Sequence, residues 1–259
     1  MTKKLLTKTD FILYRECPNN VWIKWHKPKE YNKFEISEFE KSLGIIGNEV
    51  EEWARKMFPG GYIVERRSLG AVELTKKLVA EHHPIIFQAV FSNDKYLVAT
   101  DILKWNKKVG AYDLYEVKMS STGENDVKEF GDDDLAEKVN KKKELQYEYD
   151  LAFQTNVLEM CGVQIHEKYL IRLNKKYVRL GDLELDENQL FIKEKKTANI
   201  EKLMPTARIE MEQASSYLSS TVMPEGPCPC YYRGRNSHCT AFTCINTHGR
   251  SLEQIVEDI

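Results

Sequence analysis

Three apolar runs separated by two short polar breaks fill residues 85–119, and they restrict the fold more than any other stretch of the chain. Ile85 to Phe91, Tyr96 to Trp105 and Tyr112 to Met119 have the length and the β-branched and aromatic content of strands. Ser92-Asn93-Asp94-Lys95 and Asn106 to Gly110 have turn composition, so the three runs predict a meander. Helical patterns flank it. From Glu35 to Phe58, the residues Phe39, Leu43, Ile46, Val50, Trp53, Ala54 and Met57 recur at helical spacing, and Pro59-Gly60-Gly61 closes the helix. Leu74 to His82 predicts a second helix and Leu135 to Met160 a third, which ends at Gly162. Ile200 to Tyr217 predicts a fourth despite Pro205 near its start. Ser120 to Asp134 reads as a polar loop and Val163 to Leu173 as a further strand. Thr7 or Thr9 caps a short opening helix that ends at Cys17-Pro18, because proline restricts the residue before it. His82-His83 marks a loop. Helix, meander, helix, strand is the order of an α/β layer in which helices pack on a mixed sheet.

Composition narrows the class. With 259 residues, 42% of them hydrophobic and 30% charged, the chain is long enough for one large domain or two small ones. Lys plus Arg number 38 and Asp plus Glu 40, a net charge of −2 that does not advertise a polyanion partner. Basic clusters nevertheless occur at Lys104, Lys107 and Lys108, at Lys138 to Lys143 and at Arg172 to Arg179. Met1-Thr2-Lys3-Lys4-Leu5-Leu6 lacks the apolar core of a signal peptide, and no apolar run approaches the roughly 18 to 20 residues that span a bilayer. A soluble, cytoplasmic protein without a membrane partner is expected.

The meander also carries charge where charge is costly. Side chains alternate along a strand, so Leu114, Glu116 and Lys118 share one face and Tyr115, Val117 and Met119 the other. Asp101, in the preceding strand, stands across the hairpin. Magnesium takes oxygen ligands and is commonly held by one or two carboxylates with water and phosphate. Asp101 and Glu116 would supply carboxylates and the Val117 carbonyl a further oxygen. Lys118 would orient the attacking water or offset charge developing on a phosphate. The plain alternative is a Glu116–Lys118 ion pair on a solvated sheet face.

Thr100-Asp101 followed by Glu116-Val117-Lys118 resembles the motif of the PD-(D/E)XK nuclease superfamily, with threonine in the proline position. Gly47-Asn48-Glu49-Val50-Glu51 resembles the glycine-x-x-x-(His or Glu) element of the RecB-like branch, whose last residue is a further metal ligand. Glu51 matches it, with Glu52 as the rival if the register slips and a solvated helix carboxylate as the plain reading. The branch also carries a Gln-x-x-x-Tyr motif on its downstream helix. Gln146-Tyr147-Glu148-Tyr149-Asp150 is similar to it, with tyrosine one residue early. Gln146 and Tyr149 are therefore given a supporting role in substrate positioning. Asp150 and Gln154, on the same helical stripe as Gln146, are given a weaker one. A polar stripe on an exposed helix is the alternative.

Cys228-Pro229-Cys230, then eight residues, Cys239, four residues and Cys244, with His238 and His248 nearby, form a dense group that points to metal ligation. Cys17 lies far upstream. One early cysteine with a late group resembles the iron–sulfur staple of some RecB-like nucleases, the AddB-type and CRISPR-associated adaptation nucleases among them. The opening Thr7-Lys8-Thr9-Asp10-Phe11 and Leu13 to Pro18 are similar to theirs as well. The resemblance implies a [4Fe–4S] cluster on Cys17, Cys228, Cys230 and Cys239, with Cys244 as substitute and Zn²⁺ as the alternative metal. Cys161 reads as a buried thiol. Trp22, Trp25 and His26 could stack on bases or pack in a core.

The resemblance thus implies a restriction-endonuclease-like sheet in which Mg²⁺ or Mn²⁺ serves the hydrolysis of DNA, preferably single-stranded DNA or DNA ends. Residues 1–30 would form an N-terminal helix carrying one ligand cysteine, 31–199 the nuclease core, and 200–259 a C-terminal helix and cysteine-rich region joined to the first. No G-x-x-x-x-G-K-[ST] is present, so a helicase or other processing partner would be a separate chain. A catalytically silent nucleic-acid-binding module and a zinc-stabilised interaction domain are the other classes the residues allow.

Overall fold

The computed structural model describes residues 4–31, 38–121, 133–178 and 186–222. They are mixed α/β and divide into two compact units, one made of residues 6–31 and 209–222, the other running from Glu38 to Arg208. The division between Arg208 and Ile209 lies inside a helix.

The smaller unit opens with β1 (Leu6–Thr7), α1 (Lys8–Glu16), α2 (Pro18–His26) and α3 (Pro28–Tyr31). Thr7 caps α1, its hydroxyl accepting from the Asp10 N–H at 3.2 Å. Cys17 ends α1 and caps α2, with Pro18 in the first turn of α2, where its missing N–H costs nothing. That helix was not expected; the proline that stops one helix starts the next. Asp10 is buried and paired to Lys24 at 2.7 Å. Arg15 meets Glu210 at 2.6 Å, Trp22 Nε1 donates to the Ser220 carbonyl at 2.9 Å, and Tyr217 donates to Asn19 at 2.7 Å. These bonds tie residues 6–31 to the stretch 209–222.

The larger unit contains α4 (Glu38–Lys56), β2 (Tyr62–Ile63), α5 (Ala71–Ala80), β3 (Ile85–Phe87), β4 (Val90–Ser92), β5 (Tyr96–Ala99), β6 (Ile102–Asn106), β7 (Ala111–Ser121), α6 (Asp133–Met160), β8 (Ile165–Leu173), α7 (Glu187–Leu190) and β9 (Phe191–Lys195). The first part of α8 (Thr197–Ser219) completes it. Among the described residues, six strands form a mixed sheet in the order β2-β3-β6-β7-β8-β9, with β2–β3 and β7–β8 parallel and the other pairs antiparallel. β4 and β5 pair antiparallel in a separate ladder. No helix among the described residues is long and apolar enough to cross a membrane.

Two expected strands are each broken in two. Ile85–Phe91 divides into β3 and β4, and Tyr96–Trp105 into β5 and β6. The pairs Phe87–Ile102 and Val90–Ala99 flank the break, so two residues on each strand lie between them. Gln88 there has a left-handed backbone, φ 54°. The Gln88 N–H donates to the Asp101 carbonyl at 3.0 Å and the Thr100 N–H to the Ala89 carbonyl at 2.9 Å. The hairpin is continuous in register but kinked, and its outer half leaves the main sheet.

Helices cover the main sheet. Val50, Ala54 and Phe58 form an i, i+4, i+8 stripe that packs with Phe87, Ile102, Tyr115, Ile171 and Phe191. Full burial of each large side chain in such a cluster contributes about 1.5–3 kcal/mol. α6 differs in kind: residues 149–158 are buried all round, polar ones included. Thr155 donates to the Leu151 carbonyl at 2.8 Å and Asn156 to the Met204 carbonyl at 3.0 Å. Asp150 and Gln154 turn to β7 instead.

Candidate active site

The kink presents Asp101. Its Oδ2 accepts from the Val117 N–H at 2.8 Å, and extending the Ile102–Tyr115 register by one residue puts Asp101 beside Glu116. Val117 contributes its amide to Asp101. Tyr115, Val117 and Met119 belong to the core beneath α4, so Glu116 and Lys118 project from the opposite face. There Glu116 Oε1 accepts from Lys118 Nζ at 2.7 Å and Oε2 from Gln154 Nε2 at 2.7 Å. Lys118 also donates to Asp150 Oδ2 at 2.6 Å, and Gln154 to Asp150 Oδ1 at 3.0 Å. Glu116 is 2% exposed, Asp150 6% and Gln154 0%.

Glu51 comes from α4. It is 9% exposed, and its Oε1 accepts from Gln88 Nε2 at 2.9 Å. Glu52 instead lies on the exposed side of the helix, 3.9 Å from Arg55. Of the two acids, Glu51 is the one bonded to the kink residue Gln88. Through Gln88, whose backbone N–H reaches the Asp101 carbonyl, α4 is bonded to the kink.

Asp150 and Gln154 of α6 hydrogen-bond to Lys118 and Glu116; Tyr149 is buried and Gln146 half-buried. Tyr147, Asp150 and Gln154 stand at i, i+3, i+7 and share a helix face; Tyr149, two positions from Tyr147, does not. Tyr147 was missed. Its ring centroid lies 5.3 Å from Lys118 Nζ and 5.4 Å from the Arg172 guanidinium. Arg172 pairs in register with Lys118 across β7–β8, is buried, and forms an ion pair with Glu144 on α6. Burial alone would raise the Glu144 carboxyl; Arg172 and Lys196 outweigh it and hold it below the ordinary value. Gln88 was missed too. The one signal for it was a polar residue inside the apolar run Ile85 to Phe91.

Lys118 joins two carboxylates, Glu116 and Asp150, while Asp101 is bonded to the Val117 N–H and Glu51 to the Gln88 amide. Glu51, Glu116 and Asp150 are each at least nine-tenths buried. Gln154 Oε1 is also buried with no hydrogen-bond partner. No group of three His, Cys, Asp or Glu side chains among the described residues is spaced to hold a metal ion. Magnesium does not require three, since it keeps several waters and often takes one or two carboxylates. The donor chemistry fits a hard divalent cation of that kind.

Cys17 is half-buried at the α1–α2 joint. Cys228, Cys230, Cys239 and Cys244 lie outside the described residues, as do His238 and His248 and most of the expected loop Ser120 to Asp134. Cys161 is half-buried, not buried, and burial pushes its thiol up. Trp22 is in a core, stacked on His26 with centroids 4.6 Å apart, which removes it as an exposed base platform. The chain matches no protein-family model and no curated protein.

Proposed function

We propose that this chain is a divalent-cation-dependent deoxyribonuclease of the RecB-like PD-(D/E)XK kind. One observation carries the reading: Glu116 and Lys118 of β7 meet Asp150 and Gln154 of α6 in one hydrogen-bonded cluster, with Asp101 bonded to the adjacent Val117 N–H and Glu51 linked to the Asp101 backbone through Gln88. Asp101 and Glu116 would hold Mg²⁺ or Mn²⁺, the two carboxylates such an ion commonly takes, with Glu51 bonded to the kink through Gln88. Such an ion supplies Lewis acidity toward a phosphoryl oxygen and makes water a stronger nucleophile. Lys118, fixed by two carboxylates, would donate to the attacking water or to the phosphate as negative charge develops. Gln154 and Asp150 keep the Glu116 carboxylate and the Lys118 ammonium in place. The water oxygen attacks phosphorus and the bond to one sugar oxygen breaks, which leaves a phosphate and a hydroxyl end.

A preference for single-stranded DNA or DNA ends rests on the resemblance. So does a structural [4Fe–4S] cluster on Cys17, Cys228, Cys230 and Cys239. Its support is that the unit containing Cys17 also contains residues 209–222, from which the chain runs on toward Cys228. The thiolates would hold that cluster and take no part in hydrolysis.

The test is cleavage of a single-stranded oligonucleotide in Mg²⁺ or Mn²⁺ by wild type and Asp101→Asn. Asparagine keeps an acceptor for the Val117 N–H and loses only the charge. The expected result is a rate loss on the order of 10²-fold or more with unchanged circular dichroism. Binding without cleavage in either ion by the wild type would overturn the reading in favour of a silent binding module. Air-free preparations of the same protein should be brown, absorbing at roughly 400 nm; a colourless, zinc-containing protein would remove the cluster.

A further inference from the structure

We infer that Gln88 is a positioning residue that sets the separation of Glu51 from Asp101 and thereby tunes the cation affinity of the site; this rests on the reading above. Gln88 is the point where two elements meet. Its side-chain amide donates to Glu51 Oε1 on α4 at 2.9 Å, and its backbone N–H donates to the Asp101 carbonyl at 3.0 Å. No other described residue is bonded to both acids. The backbone is held at φ 54°, a region that costs a non-glycine residue about 1–2 kcal/mol. Gln88 is also not at a helix end, where left-handed residues are routine. His82, the other described non-glycine residue with positive φ, does close a helix: it follows α5, and the His83 N–H returns to the Leu78 carbonyl at 2.9 Å. Such strain persists where surrounding bonds over-determine a conformation. Here those bonds are the kinked ladder on one side and Glu51 on the other.

Glutamine suits the position chemically. A glutamate would place a further negative charge against Glu51, and an aliphatic side chain would leave a buried carboxylate oxygen without its donor. A neutral amide aims the Glu51 carboxylate without neutralising it, so the charge stays available to a cation. Partners of this outer kind typically change metal affinity by about 10- to 100-fold.

The experiment is Mn²⁺ titration of the full chain, followed by calorimetry, with thermal melts on the same samples. The variants are Gln88→Gly, Gln88→Leu and, as a control, Asp101→Asn. Glycine keeps the left-handed backbone and its N–H but removes the amide. It should weaken Mn²⁺ by about 10-fold or more while the melt of the metal-free protein shows no loss attributable to backbone strain. Leucine should weaken Mn²⁺ similarly and melt lower than the glycine variant. If wild type binds Mn²⁺, Asp101→Asn abolishes binding and Gln88→Gly binds like wild type, Gln88 is merely structural and this inference fails alone. If wild type binds no Mn²⁺, both the inference and the nuclease reading fall.

Discussion

Lys118→Met isolates the energetics of the cluster. Methionine preserves most of the aliphatic stem and deletes the ammonium that lies 2.7 Å from Glu116 and 2.6 Å from Asp150. The side chains of these residues are 19%, 2% and 9% exposed respectively, so solvent screens the pairs little. Removing one partner of a buried pair leaves an uncompensated charge and costs about 3–5 kcal/mol. Two facts pull in opposite directions. Lys118 serves two acids, and its loss leaves them facing each other, which raises the cost. Gln154 Nε2 still donates to both, at 2.7 and 3.0 Å, which lowers it. We expect a loss of about 4 kcal/mol, near the middle of that range, at pH 7, or a melting temperature roughly 8 to 16 °C lower for a unit of this size. Urea melts of wild type and variant at pH 7 without divalent cations measure it. A penalty below about 1 kcal/mol would show that the two acids are solvated and that the cluster is not the dense charge site described.

Two further outcomes test the frame around the site. Gly61→Ala should destabilise by about 1–3 kcal/mol, because a Cβ there would sit 2.5 Å from Phe87 Cζ and 2.8 Å from Ile85 Cγ2 and also strike Phe87 Cε2, a rigid ring in the core; an unchanged urea midpoint would mean that β2 does not pack closely on β3. Glu144→Gln tests the pH dependence. The Glu144 carboxyl is held below its ordinary value, burial pulling it up and Arg172 and Lys196 more than reversing that. Its contribution is therefore complete above the unfolded carboxylate range near 4.3 and is lost as pH falls through the depressed value. Wild type should exceed Glu144→Gln in stability at pH 7, and the difference should shrink as the pH falls below the ordinary carboxylate range; a constant difference would refute the assignment.

The sequence was most legible where one periodicity acts alone. A cap at Thr7 or Thr9, the helical spacing of Val50, Trp53, Ala54 and Met57, and the shared face of Glu116 and Lys118 all follow from local rules; in the structure Thr7 is the cap, the four apolar residues meet the core and Lys118 bonds Glu116. It was least legible where tertiary contacts choose among local options. Nothing in Ile85 to Phe91 other than a single glutamine announces that the strand kinks, because a left-handed residue needs partners on both sides to hold it. On α6, spacing identified a polar stripe but not which part of it meets β7. The buried half begins only at Tyr149 and buries every face, which erases the amphipathic signal that would have fixed the rotation. β9, the alternating Phe191-Ile192-Lys193-Glu194-Lys195, was passed over because a five-residue run with three charges reads as surface.

These difficult points lie close together, and there is a physical reason for it. Buried acids such as Glu51, Glu116 and Asp150 work against folding, so they must be held by structure that local propensity does not provide. Two devices hold them. The kink at Gln88 brings Asp101 to the Val117 amide and reaches across to Glu51. The all-round burial of α6 brings Asp150 and Gln154 onto Glu116 and Lys118. Each is anchored outside the cluster, the kink by the β3–β6 and β4–β5 ladders and α6 by Asn156 on the Met204 carbonyl and Glu144 on Arg172. A perturbation of either anchor should therefore reach the acids without touching them. Asn156→Leu, which removes the bond to Met204 but keeps the volume, should slow cleavage and weaken Mn²⁺ together, because Gln154 and Asp150 of α6 hold Glu116 and Lys118. Cleavage and Mn²⁺ affinity both equal to wild type would mean that the Asn156 anchor does not reach the acids and would refute the reasoning.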